Sequence, residues 1–459
     1  MIKPTAVFRR LVVYILSLLG GFLQANPCSA QQPPHIIFIL TDDMGYGDLS
    51  CFNGTYSTPN LDQLAKEGRK FTRYYSASPI CSASRTGFLT GMAPARWNIT
   101  SYLQTRKGNR NCEQADFLSA SAPSVAKALK ARGYATGHFG KWHMGGGRDV
   151  VSPPSISQYG FDEFNSTWES PNPDPLLTAS NWIWSDKDSI RRWDRTAYFV
   201  NRTLAFLKKH KDQPCFVNLW PDDVHTPWVA GDAYVGAYPG NREEEKSFIR
   251  VLEEYDRQMG RLFQGLRELG IEDNTIVVFT SDNGPLPNFR DERSAGMRGS
   301  KLSLYEGGIR MPFIVRWPGH IPAGTVDTVS VVSANDLFPS FCSAAGAALP
   351  AGYVSDGEDR LPVLLGKPAE RNKALYWEYG RNDSSFAYPK GLDRSPSLAI
   401  REGNWKLLMN PNGSSVELYD ISRDPNETTN LAAAGTERVT ALRKKLELWW
   451  KSLPRLNSS

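Results

Sequence analysis

Two short apolar runs constrain this chain more than anything else in it. Ile36-Ile37-Phe38-Ile39-Leu40 and Thr275 to Thr280 are continuous, rich in β-branched side chains, and followed at once by polar residues. A strand that is apolar on both faces must be covered on both faces, so each run belongs inside a parallel sheet. Cys215 to Leu219 and Phe313-Ile314-Val315 repeat the pattern, and Tyr134 to Phe139 is a further strand candidate. Helices fall between them. One runs from Thr58 to Glu67, with Thr58 as N-cap, Pro59 at the first helical position and Gly68 as the stop. A second spans Ser124 to Arg132 and ends at Gly133. A third, Glu243 to Leu269, places Phe248, Leu252, Tyr255, Met259, Leu262 and Leu266 on one face. The alternation predicts an α/β fold, a large and mostly parallel sheet sandwiched by helices.

After about Ala348 the texture changes. Leu398-Ala399-Ile400, Trp405 to Met409 and Val416 to Tyr419 are short strands separated by turns such as Asn412-Gly413, and an amphipathic helix over Glu437 to Ser452 follows. We divide the chain into a main domain over 33–348 and a smaller C-terminal α+β domain over 349–459. The first thirty residues are set apart. Lys3, Arg9 and Arg10 precede the apolar stretch Leu11 to Leu23, which as a helix reaches about 20 Å, short of a bilayer core of about 30 Å. Cys28-Ser29-Ala30 offers small residues for cleavage, so residues 1–30 read as a signal peptide removed near Ala30. The expected product is periplasmic or secreted, with no stable membrane span. Its charge is nearly balanced, since loss of the three leader cations takes the formal net of +5 down to +2. That excludes nucleic acid as the main partner.

Export permits disulfides, but the mature chain keeps an odd number of cysteines: Cys51, Cys81, Cys112, Cys215 and Cys342. If one has another task, the remaining four allow three pairings. No C-x2-C spacing suggests zinc.

The chemistry gathers at strand ends, where open α/β sheets bind ligands. The first run ends in Asp42-Asp43 and the later one in Asp282-Asn283. If the two strands are neighbours, three carboxylates and an amide converge, an all-oxygen set suited to Ca²⁺ or Mg²⁺. Cys81-Ser82-Ala83-Ser84-Arg85 opens a helix, so Cys81 sits near an N-terminus that favours negative charge, with Arg85 one turn on. Gly140-Lys141-Trp142-His143, if extended, projects Lys141 and His143 to one side. His225 follows another strand, and Lys301 lies in a glycine-rich stretch before Glu306-Gly307-Gly308. Together these groups make a pocket for a tetrahedral oxyanion.

These segments resemble the sulfatase family of the alkaline phosphatase superfamily. Cys81 to Arg85 is similar to its C-x-P/A-S-R modification signature, and Gly133-Tyr134-Ala135-Thr136 continuing to Gly140-Lys141-Trp142-His143 is similar to its second signature. Asp42 to Asp48, Ser281 to Gly284 and Lys301 to Pro312 match in the family's order. The overall look is that of the arylsulfatase A and N-acetylgalactosamine-6-sulfatase types. The resemblance implies an alkaline-phosphatase-like fold and a nucleophile, formylglycine, made by oxidation of Cys81. Its hydrate attacks sulfur, and its second hydroxyl lets sulfate leave as the aldehyde re-forms. It further implies that Asp42, Asp43, Asp282 and Asn283 bind Ca²⁺ and that Arg85 helps hold the hydrated aldehyde. Lys141 bridges nucleophile and sulfate, and His143 is the candidate base. His225 and Lys301 are candidates to protonate the leaving oxygen. Ala83 stands where the commonest signature has Pro, which points to a maturase of the radical-SAM type and a bacterial source.

Trp168, Trp182, Trp184, Trp193, Arg191 and Arg192 crowd the stretch after His143, with Trp97, Arg106 and Arg110 in a second candidate rim. Aromatic faces stack on sugars and arginines meet sulfates, which suggests a sulfated carbohydrate substrate. Two other readings stay open. One is a phosphonate or phosphate-ester hydrolase of the same superfamily; the other is an unmatured sulfoglycan-binding protein that keeps Cys81 as a thiol.

Overall fold

The structure is a computed structural model that describes residues 32–180, 182–231, 243–380, 389 and 391–456. The expected signal peptide lies outside the described residues. Among those described, no helix is long and apolar enough to cross a membrane.

The main sheet contains β1 (His35–Thr41), β2 (Arg69–Tyr75), β3 (Ala135–Gly140), β4 (Glu163–Ser166), β5 (Cys215–Trp220), β6 (Thr275–Ser281), β7 (Arg310–Arg316), β8 (Thr325–Asp327) and β9 (Val332–Ser333). Its order is β4-β3-β5-β1-β6-β7-β2-β8, with β9 also on β2. The centre is parallel: β1 pairs Ile36 with Phe216 of β5 and Thr41 with Ser281 of β6. β7 breaks the pattern and runs antiparallel to both β6 and β2.

The apolar run of β1 does what its composition requires. Ile36, Phe38 and Leu40 join one core cluster, which includes Phe88, Trp142 and Phe341. Ile37 and Ile39 join a cluster on the opposite face, which includes Phe248, Leu252, Tyr255 and Met259 of the helix Glu243–Glu268. Each fully buried side chain of this kind stabilises the fold by about 1.5–3 kcal/mol. The strand β2 was not foreseen. Its sequence RKFTRYY alternates charge with aromatics, and its burial is correspondingly partial.

Local capping follows tertiary demands. Thr58 precedes the helix Pro59–Glu67 but does not cap it. Its hydroxyl instead pairs with Ser50 at 3.0 Å. The N-terminal donors of that helix go to Asp256, whose carboxylate accepts from the N–H groups of Asn60 (3.0 Å) and Leu61 (2.9 Å).

The small sheet is antiparallel: β10 (Leu375–Glu378), β11 (Leu398–Glu402), β12 (Trp405–Met409) and β13 (Glu417–Asp420), in that order. Leu442, Leu446 and Trp449 of the helix Thr436–Lys451 cover Leu398, Ile400, Leu407, Met409 and Leu418. Lys406 of β12 is buried between Glu306 (3.0 Å) and Glu427 (2.9 Å).

No disulfide joins Cys51, Cys81, Cys112, Cys215 or Cys342. The thiols are small apolar groups divided between the two faces. Cys81, Cys112 and Cys342 belong to one core cluster, and Cys51 and Cys215 pack with the other.

Candidate active site

Because β1 and β6 are adjacent and parallel, the residues beyond their ends emerge side by side. Asp42, Asp43, Asp282 and Asn283 are all buried. The Asp43 backbone N–H donates to Asp282 Oδ1 (3.1 Å), and Asn283 Nδ2 donates to Asp43 Oδ1 (2.7 Å). Asp43 takes φ 59, the left-handed conformation that turns its carboxylate back into the site.

The helix Cys81–Thr90 delivers two groups at once. Cys81 is its first residue, and Arg85, one turn on, is fully buried against Asp282 (2.8 Å) and Asp42 (3.3 Å). Lys141 reaches Asp42 (2.8 Å) from beyond β3, and Lys301 reaches Asp43 (2.6 Å). Lys301 Nζ also lies 3.1 Å from His225 Nε2, which is 3.5 Å from Asp43 Oδ2. His143 Nδ1 lies 3.2 Å from Cys81 Sγ. All ten residues singled out from the sequence therefore stand in one connected cluster. The segment Lys141–His143 is not extended, however. His143 takes φ 54, because Trp142 between the two must turn into the core beside His138, Tyr159 and Phe161.

The electrostatics follow from burial and crowding. Burial alone would raise Asp42, but Lys141, His225, Arg85 and Lys301 outweigh it and hold the carboxyl well below its usual range. Asp43 is likewise lowered, its burial outweighed by Lys301 and His225. Burial, with Asp42 alongside, pushes Asp282 well above the usual range. Burial lowers His143 to about 3 and His225 to about 4, so both rings are neutral at neutral pH. Burial also raises the Cys81 thiol, against Lys141 and Lys301.

The donor set fits a hard cation. Asp42 Oδ1 and Asn283 Oδ1 are buried acceptors without a hydrogen-bond donor. Asp42, Asp43 and His225 each present a ligand atom within 4.8 Å of the others. Three carboxyl groups face three cations, Arg85, Lys141 and Lys301, so a divalent ion added there would give the cluster a positive excess that favours an anion.

The cluster floors a cavity of about 250 Å³, whose wall includes Tyr102, Arg148, Trp168, Glu169, Asp222 and Leu302. The sequence reading missed Glu169, Arg148 and Asp222. Asp222-Asp223 follows β5 just as Asp42-Asp43 follows β1, so the strand-end rule applied once more would have found it. Glu169 carries no comparable local signal.

The expected sugar rim is only partly there. Trp168 lines the cavity, and Trp182, 54% exposed, lies 5.6 Å from it. Arg192 is instead buried, ion-paired with Asp222 and donating to the His225 carbonyl (2.9 Å). Trp193 packs on Gly231 beside a different cavity. Trp184 and Arg191 are half-buried and are not among the residues lining the cavity. Trp97 lines another cavity with Tyr353. Arg106 is drawn to Asp116 (3.7 Å), and Arg110 is exposed in the helix Arg106–Asn111. For Arg106 and Arg192 the cause is a carboxylate nearer than the pocket.

Comparison with known proteins places this geometry. The sulfatase family model matches residues 34–347, and a model of the C-terminal region of N-sulphoglucosamine sulphohydrolase matches residues 300–452. The chain is 30% identical to the N-acetylgalactosamine-6-O-sulfatase of Bacteroides thetaiotaomicron, over 94% of this chain and 98% of that one. It is also 30% identical to human arylsulfatase A, over 95% and 90% of the two chains. The crystal structure of Ps i-CgsB in complex with k-i-k-neocarrahexaose superposes with a TM-score of 0.75 at 26% identity, covering 93% of this chain and 96% of that one. With the family model spanning most of the chain and relatives matched over nearly their whole length, the chain belongs to the sulfatase family of sulfuric ester hydrolases.

Proposed function

We propose that this enzyme hydrolyses sulfate esters on a sulfated glycan, using a formylglycine made from Cys81 and a Ca²⁺ ion held by Asp42, Asp43, Asp282 and Asn283. The observation that carries the reading is the convergence of Cys81, Lys141, His143, His225 and Lys301 on the floor of one cavity. A buried thiol kept protonated is a poor nucleophile, which favours modification of Cys81 over thiol chemistry. The hydrated aldehyde supplies a nucleophilic hydroxyl and a second hydroxyl through which sulfate departs. The divalent cation supplies Lewis-acid activation and charge neutralisation.

The chain's own residues do the rest. Arg85, fixed between Asp282 and Asp42, holds the mouth of the helix against the carboxylates. Lys141 and Lys301 hold the negative oxygens of the sulfate. His143 Nδ1 takes a proton at residue 81. Lys301 donates to His225 Nε2, and this pair supplies the proton that the leaving alkoxide needs. Trp168 offers a face for a sugar ring. The names of the relatives, N-acetylgalactosamine-6-O-sulfatase and a neocarrahexaose-bound enzyme, support a glycan. Ala83 supports maturation by a radical-SAM enzyme, and the leader supports export to the periplasm or beyond. The main domain at 33–348 carries the chemistry, and the part at 349–459 is a supporting domain.

The test joins peptide mass spectrometry of the Cys81 segment with sulfate release from a panel of sulfated oligosaccharides. We expect a formylglycine mass and release from at least one sugar. Cys81→Ala is expected to abolish release with the thermal transition unchanged. Retained release would overturn the nucleophile assignment, and faster turnover of a phosphonate ester than of any sulfate would overturn the reaction.

A further inference from the structure

His143 is gripped from the side away from Cys81. Its backbone N–H donates to the Glu169 carbonyl (3.0 Å). Its Nε2 hydrogen-bonds the Leu103 carbonyl oxygen (3.4 Å), and Glu169 Oε2 lies beside it at 3.2 Å as a charge contact. A carbonyl and a carboxylate only accept, so Nε2 must carry the ring proton. The ring is neutral and has one proton to place, which leaves Nδ1 bare, 3.2 Å from Cys81 Sγ. Glu169 is itself held. Arg148 Nη2 donates to its Oε1 (2.7 Å), and the Arg148 guanidinium lies 5.1 Å from the centre of the Trp168 ring. Burial would raise the Glu169 carboxyl, but His143, Lys141 and Arg148 hold it below its usual range, so it is charged.

The geometry assigns Glu169 as a positioning residue of the reaction: its carbonyl holds the His143 backbone, and its carboxylate, beside the Leu103 carbonyl that accepts from Nε2, favours the Nε2–H tautomer and keeps the bare Nδ1 aimed at residue 81. When the hydroxyl at residue 81 gives up its proton, the O–H bond breaks and the Nδ1–H bond forms. The electron pair left on oxygen forms the aldehyde C=O bond as the C–O bond to sulfate breaks, and sulfate leaves with that bond's electron pair. The new imidazolium faces the Glu169 carboxylate until its proton returns to solvent. Arg148 and Trp168 brace Glu169 from the cavity wall, so the surface offered to the sugar and the orientation of the base share one set of contacts. This assignment rests on the function proposed above, and the test separates the two.

Two measurements decide it. In the full chain labelled with 15N-histidine, with His143 identified by its loss in His143→Asn, ring-nitrogen shifts report the tautomer without any turnover. We expect a protonated Nε2 and a bare Nδ1 in the wild type, and a mixture of tautomers in Glu169→Gln. A protonated Nδ1 in the wild type overturns the assignment. In the mature enzyme, Glu169→Gln should lower kcat by about 10–100-fold, as loss of an orienting partner does elsewhere. KM should stay within about twofold, and Glu169→Asp should recover part of kcat. A wild-type kcat in Glu169→Gln, or a loss shared equally by Glu169→Asp, overturns it. If no sulfated sugar is cleaved by the wild type, the proposed function fails and the tautomer alone decides the role of Glu169.

Discussion

Two of the buried ion clusters among the described residues are built in opposite ways. In the pocket, Asp42, Asp43 and Asp282 meet Arg85, Lys141 and Lys301, and Asp42, Lys141 and Lys301 line a cavity. Between the two sheets, Lys406 bridges Glu306 and Glu427, Tyr75 donates to Glu306 (2.6 Å), and the Glu306 backbone N–H donates to Glu427 (2.6 Å). Arg310 also faces Glu306 (3.7 Å), so Glu427, which among the described residues has Lys406 alone, is the carboxylate short of a cation. Burial, with Glu306 alongside, raises its carboxyl to about 7, so a proton rather than a metal relieves the crowding. Asp42, by contrast, is held ionised by the cations around it. A charge cluster that opens on a cavity marks a site that binds something, whereas a triad with every member fully buried marks a clamp.

Paired lysine substitutions break this comparison most sharply. Lys406→Met removes the cation that Glu306 and Glu427 share, leaving Glu427 unpaired while Arg310 still faces Glu306, and should cost about 3–5 kcal/mol in chemical denaturation. Lys141→Met should leave stability close to the wild type, because Arg85 still faces Asp42, yet lower kcat on the order of 10²–10³-fold. Equal stability losses in the two variants would erase the distinction. Metal removal has a smaller effect. Chelation should lower the melting temperature of the wild type, and Ca²⁺ at a hundredfold excess over its Kd should return about 2.7 kcal/mol. The same Ca²⁺ response should persist in Lys406→Met, since the clamp holds no metal, and disappear in Asp43→Asn.

The smallest effect is a pH dependence. Glu427 binds its proton more tightly in the folded chain than at the ordinary carboxyl value of 4.5. Its contribution is therefore complete below that value and lost as pH rises through about 7. The slope is at most about 1.4 kcal/mol per pH unit. Glu306 is shifted downward, since Lys406 and Arg401 outweigh its burial, and acts in the opposite sense below 4.5. Denaturation midpoints of Glu427→Gln measured from pH 4.5 to 7 should be flatter than those of the wild type. A matching slope in both proteins would remove Glu427 from the clamp's titration.

Much of this was readable before any coordinates. Ile36 to Leu40 could only be a strand covered on both faces, and the helix Glu243–Glu268 announces its buried stripe by spacing. The C-terminal strands at 398–402 and 405–409 are bounded by turn residues. Less was readable where side chains answer to distant partners. Arg192 has the composition of a sulfate-binding rim residue but is paired with Asp222, 30 positions along the chain. Nothing next to Glu169 in sequence reveals that it faces His143. β2 escaped notice because an alternating, partly charged strand near a sheet edge has no continuous apolar run.

Local chemistry alone therefore settled the central strands and the strongly periodic helices, and which residue types could bind a cation or an oxyanion. Period, capping and signature spacing are properties of neighbouring residues. The fold alone decided which carboxylates stay ionised, which arginines face solvent and which ring nitrogen of His143 is bare. Those outcomes depend on distances between groups that only packing brings together, and in a poorly solvated interior such distances dominate the free energy of a charge.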